Sequence, residues 1–249
     1  MINPALFAAV GEVGEDFFKE RTSGELPCQA TNKAFFCWEW AQDNLNRYET
    51  PFRQHVELVV FSVLIGFVVA FALALLAHRW RGLRLPFLLG TGILFTIPSV
   101  AFFFLLLPLT GRGRDTAIIA LSVYTLQIIY RNIMLGLDNV PRASIDAARG
   151  IGMTYRQTLW KVELRLATPE ITAGVMIATV STVAIATLAA FAGGGGLGET
   201  LIGAQSLGLA FKTNIIITFV LTVGLGIVFG LFLLWLTRLL TPWRRVKAA

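Results

Sequence analysis

Charge is scarce in this chain: Asp, Glu, Lys and Arg make up 14% of its 249 residues, where a soluble domain carries roughly a quarter. Histidine and cysteine are scarcer still, at two each. His55 and His78 sit at opposite ends of one apolar stretch, so they cannot share a metal ion or act as a catalytic pair. No cluster of His, Cys, Asp or Glu offers metal ligands, which argues against a metalloenzyme. Ser99 has no His or Lys base near it in sequence, so an intramembrane hydrolase is a poor reading and no residue is assigned as catalytic. A phosphate loop of the form G-x-x-x-x-G-K-[ST] is also missing, so the chain does not bind and hydrolyse ATP by that route and carries no cofactor of its own.

What the chain has instead is apolar length. Hydrophobic residues make up 55% of it and its mean hydropathy is +0.69. Five stretches, 57–77, 86–108, 116–137, 169–192 and 214–237, each run to about 20 residues, enough to cross a hydrocarbon layer of roughly 30 Å as a helix. Amphipathic helices of a soluble core would show polar outer faces; the last two stretches offer little beyond Ser and Thr. The expected fold is an all-α integral membrane protein with five transmembrane helices.

Basic residues set the expected orientation. The segments 78–85, 131–170 and 238–249 fall on one side and together carry +9, while 1–56, 109–115 and 193–213 fall on the other and carry −2, with Glu57 at the first boundary bringing the total to +6. The basic side is read as cytoplasmic, which puts the N-terminus outside and the C-terminus inside. The net charge of +6 thus reflects topology, not nucleic-acid binding. The chain divides into an extracytoplasmic segment 1–56, a membrane domain 57–240 and a basic cytoplasmic tail 241–249. The start, Met1–Phe18, lacks a basic leader and turns acidic, so no cleavable signal is expected.

Cys28 and Cys37 both lie in the exterior segment, a compartment that permits a disulfide. Phe35, Phe36, Trp38, Trp40 and Tyr48 cluster just before the first span and suit a membrane interface.

Between the third and fourth stretches, about 138–168, the sequence is neither loop-like nor fully apolar. Pro141 suits the first turn of a helix, and Gly150 or Gly152 can end it in a left-handed cap. Thr154 and Gln157 have the spacing of a capping box. Thr168-Pro169-Glu170 reads as the start of the fourth span, with Thr168 as cap. Two short, sharply capped helices exceed what a simple connection needs.

Gly193-Gly194-Gly195-Gly196 ends the fourth span, since glycine costs about 1 kcal/mol per residue in a helix. With Gly198 the run formally fits G-x-G-x-x-G, but a membrane helix, not a strand, precedes it, so no dinucleotide site is expected. A gate for solute and a plain helix stop both remain open for it. Thr172, Thr179, Thr182 and Ala186 form a stripe at helical spacing, which favours helix packing over a path lining. Gly226 and Gly230 read as a packing motif as well.

Ile145-Asp146-Ala147-Ala148-Arg149-Gly150, Val162-Glu163-Leu164 and Pro169-Glu170-Ile171-Thr172-Ala173-Gly174 together resemble the EAA loop of binding-protein-dependent ABC importer permeases of type I. In that family the loop carries a coupling helix that docks on a cytoplasmic ATPase. Asp146 stands where the usual residue is Glu, and Arg165-Leu166 where Leu-Pro usually follows. Thr96-Ile97-Pro98-Ser99, 128–132, 186–191 and Gly195-Gly196-Leu197-Gly198 are similar to the branch that transports quaternary amines.

The resemblance implies coupling residues Ser144, Asp146, Ala147, Ala148, Arg149, Gly150, Gly152 and Met153. It also implies a pathway or gate among Thr96, Pro98, Ser99, Tyr124, Thr179, Thr182, Phe191, Gly195, Gly196 and Gly198. Aromatic faces at Phe102, Phe103, Tyr124 and Phe191 could attract a quaternary ammonium. Implied partners are ATPase subunits that bind ATP and Mg, a second permease, the same or homologous, an external binding protein and the bilayer. Uptake of glycine betaine, choline, carnitine or proline betaine across the plasma (inner) membrane follows; an amino-acid permease such as one for methionine, or a passive channel, is the alternative.

Overall fold

The computed structural model describes residues 36–206 and 212–242, and throughout these the regular structure is helical. In order the elements are α1 (Trp38–Asn44), a 3-10 turn (Leu45–Tyr48), α2 (Glu49–Arg79), a 3-10 turn (Arg81–Leu83), α3 (Arg84–Thr96) and α4 (Ser99–Thr110). There follow α5 (Arg114–Asp138), α6 (Arg142–Gly150), α7 (Tyr155–Thr158), a π turn (Leu159–Glu163) and α8 (Leu164–Ala186). A 3-10 turn (Thr187–Ala192), α9 (Leu197–Ser206) and α10 (Lys212–Leu240) follow among the described residues. Among the described residues, four helical runs, Trp38–Arg79, Arg114–Asp138, Tyr155–Ala192 and Lys212–Leu240, are long and apolar enough to cross a membrane; counting α3 and α4 as one broken span makes five.

The second span is broken, where the sequence suggested one apolar stretch. Proline disfavours helical geometry in the residue before it, and Ile97 accordingly takes φ −67°, ψ 128°. Pro98 is extended too (ψ 130°) and caps α4, with the two helices bent by 98°. The carbonyl of Ile97 that the break releases accepts a hydrogen bond from the Tyr124 hydroxyl.

The fourth span starts earlier than expected. Pro169 lies inside α8, and Thr168 does not cap a helix: its hydroxyl donates back to the Leu164 carbonyl at 2.9 Å. The same Thr-Pro pair that signals a helix start also serves inside one, where the threonine bonds one turn back.

The described residues form two compact units whose boundaries fall within α2, α5, α8 and α10 and at Ile97–Pro98. In the unit built from Ser62–Ile97, Ser122–Thr182 and the end of α10, Ala70, Ala74 and Ala77 meet Ile129, Tyr130, Ile133 and Leu137 of α5, with Leu164, Ala167 and Ile171 of α8 completing the core. Small residues set the approach: a Cβ on Gly174 would stand 2.4 Å from Cβ of Asn132. A Cβ on Gly230 would meet Val180 Cγ2 only at 3.8 Å, so no close approach there requires the glycine.

In the other unit, Cys37, Trp40, Ala41 and Tyr48 pack with Leu197 and Ile217 in a small core of their own. This corrects the interface reading for Trp40 and Tyr48, which are 5% and 3% exposed; Trp38 remains 65% exposed, and Phe35 lies outside the described residues. Burial follows from partners that sequence distance hides: the Cys37 N–H donates to Thr213 Oγ1 at 2.8 Å, and the Tyr48 hydroxyl donates to Asn214 Oδ1.

Many exposed side chains on the long helices are apolar, among them Leu64, Ile65 and Val68 of α2 and Phe219, Val228 and Leu231 of α10. Such patches in water would mark a sticky protein; on spanning helices they meet lipid.

Candidate functional site

The segment between α5 and α8 is built of short, fully capped pieces. Its α6 starts after Pro141, whose carbonyl accepts from the Ser144 N–H at 3.0 Å, so the proline is the cap and not the first helical residue. Gly152, at φ +84°, ends it. The Met153 N–H reaches the Ala148 carbonyl at 3.1 Å and the Gly152 N–H that of Arg149 at 2.9 Å, the paired bonds of a Schellman motif. Gly150 is the last helical residue and does not adopt the left-handed conformation. At Thr154 the expected capping box is complete: its Oγ1 accepts from the Gln157 N–H, and Gln157 Oε1 accepts from the Thr154 N–H.

Of the implied coupling residues, Asp146, Ala147, Arg149, Gly150 and Gly152 are exposed on one short helix and its cap. Ser144 and Met153 are half-buried. Ala148 is 5% exposed and turned into the chain's own fold, so of the small pair only Ala147 offers a surface for close approach. The helix is amphipathic: Ile145 packs on the core while charged neighbours face out.

Beneath α6 the π turn holds Glu163, whose Oε2 stands 2.8 Å from His78 Nε2 at the end of α2. Arg84 and Asp138 make a second ion pair at 2.9 Å between the starts and ends of α3 and α5.

The glycine run forms a second, separate cluster. Its 3-10 turn ends in another Schellman motif: the Gly194 N–H donates to the Ala189 carbonyl and the Gly193 N–H to that of Ala190, both at 3.0 Å, with Gly193 at φ +72°. The run is then pinned from α2. The Gly196 N–H donates to Gln54 Oε1 at 3.0 Å, and the Leu197 N–H donates to His55 Nδ1 at 3.3 Å. Since His55 Nδ1 accepts, its Nε2 carries the hydrogen and donates to the Val183 carbonyl at 3.0 Å. His55 is fully buried. Thr200, Asn214 and Thr218 extend the polar cluster: the two hydroxyls lie 2.6 Å apart, and Asn214 Nδ2 donates to the Thr200 carbonyl at 2.6 Å. Gly198 lies where a Cβ would stand 1.8 Å from the Thr187 carbonyl oxygen.

The other pathway candidates divide. Thr96 and Pro98 are exposed at the α3–α4 break, with Ser99 half-buried. Tyr124 is 5% exposed, its ring edge-on to Phe95 at 5.9 Å and its hydroxyl on Ile97. Thr179 and Thr182 are buried, and their hydroxyls return to Val175 and Ala178 of their own helix at 2.7 Å each, which supports packing over a path lining. Phe191 is half-buried; Phe102 and Phe103 are buried. Sequence reasoning did not single out Gln54 and weighed His55 only as a partner for His78, yet these two residues fasten the glycine run. A polar pair at the mouth of an apolar helix was the available signal, since buried polar groups require partners. Cys28 lies outside the described residues; Cys37 is buried, and no described cysteine carries a free thiol.

Residues 62–246 match the family described as the inner membrane component of binding-protein-dependent transport systems. The chain belongs to that family. It is therefore a multi-pass inner-membrane transport permease and not an enzyme. This permease is 37% identical over 158 residues to the osmoprotectant import permease OsmW of Salmonella typhimurium, covering 61% of this chain and 74% of that one. It is 36% identical over 146 residues to the choline transport permease OpuBB of Bacillus subtilis (59% and 67% covered). With the glycine betaine/carnitine/choline permease OpuCD of the same organism it shares 32% over 197 residues (79% and 85%). Its fold is that of the permease chain in inward-facing structures of the MetNI methionine ABC transporter. These superpose with TM-scores of 0.66 and 0.68 at 24% and 23% identity, covering 77% and 82% of this chain and 94% and 100% of those.

Proposed function

We propose that this permease carries a quaternary-ammonium osmoprotectant, of the glycine betaine, choline or carnitine kind, into the cell, driven by a separate ATPase that docks on α6. The observation that carries the mechanical half is α6 itself: an exposed helix between two spans, started at Pro141 and closed by a Schellman motif, presenting Asp146, Ala147, Arg149 and Gly150. The substrate half rests on relatives named for osmoprotectants, choline, glycine betaine and carnitine; choline, glycine betaine and carnitine share a trimethylammonium group. In this reading 138–168 is cytoplasmic, 1–56 is outside, 57–240 forms the membrane domain and 241–249 is a cytoplasmic tail. A Cys28–Cys37 disulfide braces the outer segment, and a ligand-loaded binding protein docks on the face that carries the glycine run. Two permease chains enclose the path, and ATP-driven motion of α6 alternates its access. Motion follows only from contacts that differ between the two states.

Labelled glycine betaine, choline and methionine, supplied to cells lacking other importers, test the substrate. Uptake of the first two with methionine excluded is expected. Exclusive methionine uptake would overturn the assignment.

A further inference from the structure

The buried contact beneath α6 extends the coupling reading, and it rests on that reading. His78 Nε2 and Glu163 Oε2 are 2.8 Å apart with side chains only 15% and 5% exposed, while His78 Nδ1 is buried without a hydrogen-bond partner. Nε2 faces the carboxylate oxygen as the hydrogen-bond donor. The Tyr155 ring lies stacked against His78, 21° from parallel with centroids 6.5 Å apart, and the Arg79 guanidinium is 5.1 Å from the centre of the Tyr155 ring. Two turns up α2, Phe71 meets Trp160 of the π turn at 6.2 Å.

A buried ion pair is weak support for stability, because an apolar pair of similar volume packs as well or better. What it supplies is register: one donor and one acceptor in one geometry. Glu163 sits on the π turn, a rare wide turn that recurs at functional positions and re-aims its side chain relative to an unbroken α-helix. Between α6 and Glu163 every junction is capped, by Gly152–Met153 and then by Thr154–Gln157. Displacement of α6 therefore reaches Glu163 without slack.

We propose that Glu163 and His78, with Tyr155 stacked on the imidazole, are the positioning contact that carries motion of the coupling segment into α2, the first span. Without it the ATPase still docks and turns over, but α2 no longer follows.

The test uses the whole transporter, permease with its ATPase and binding protein, in proteoliposomes, reading solute imported per ATP hydrolysed. His78→Gln, which keeps a donor near the Nε2 position, retains the native ratio. His78→Phe keeps the ring against Tyr155 and loses the donor; it lowers the ratio at least about fivefold, the lower end of typical coupling between sites, with the solute KM unchanged. His78→Phe combined with Glu163→Leu removes the stranded carboxylate, so assembly and thermal stability return while the ratio stays low. If the single variant fails to assemble, the double variant decides. A native ratio in the double variant, or in an assembled His78→Phe, overturns the proposal. Gly150→Trp on the exposed end of α6 is run beside these. Undiminished ATPase binding by that variant sinks the docking reading itself, whereas lost coupling there with native coupling in His78→Phe sinks only the clamp.

Discussion

His55 shows how one side chain holds a segment that its own composition would leave loose. Its two ring nitrogens bridge the Leu197 N–H and the Val183 carbonyl, and both partners are buried backbone. Replacing it with leucine keeps the volume but strands a donor and an acceptor, each costing about 1–3 kcal/mol. His55→Leu is therefore expected to lower the thermal midpoint of the purified permease markedly, and an unchanged midpoint would show that the two backbone groups find other partners. Glu199, near the start of α9, carries an opposite lesson. Burial raises its carboxyl above the ordinary value of 4.5, so the folded protein holds a proton there more tightly than the unfolded chain. Stability must then fall as pH rises from 4.5 through the raised value, and recover on acidification. Glu199→Gln removes that slope; a slope of native size in thermal melts of the variant between about pH 7 and 4 would refute the assignment to Glu199.

At the scale of elements, the two glycines at the C-terminal end of α6 separate conformational from contact effects. A Cβ at Gly150 meets no atom within 4 Å, and none is met at Gly152 either, but Gly152 holds φ +84°. Gly150→Ala should leave the isolated permease as stable or up to about 1 kcal/mol more so. Gly152→Ala forces a side chain into the left-handed region, at about 1–2 kcal/mol, and loosens the Schellman bonds to Ala148 and Arg149. Thermal melts of the two variants in detergent check the contrast, and equal midpoints would contradict it. The cap of α6 and the box at Thr154 were legible in the sequence because both use local signals: glycine past a helix end, and Thr-x-x-Gln. The break at Pro98 was not, because the apolar run continues across it and hydropathy is blind to φ and ψ. Thr168-Pro169 misled in the opposite sense, since its residues satisfy either a cap or a back-bonded helix interior, and only the preceding π turn settles which. Burial of Trp40 and Tyr48 was beyond reach as well: their partners Leu197 and Asn214 lie more than 150 residues on.

Over the whole molecule, the question is where the energy for transport enters. Carriers driven by ion gradients need an ionisable group within the membrane to bind or relay the ion. The five apolar stretches hold no Lys, Asp or Glu at mid-depth, and the buried Glu163, within the helical run Tyr155–Ala192, is engaged with His78 where α2 ends. That arrangement fits energy delivered at one face by the ATPase partner. With the ATPase and binding protein present and ATP sealed on the ATPase side, uptake into proteoliposomes should persist when a protonophore collapses the gradient. It should stop when a non-hydrolysable analogue replaces ATP. Accumulation driven by an imposed proton gradient without ATP would place the relay in this chain and remove the need for α6 as the point of entry; equilibration without either energy source would make it a channel.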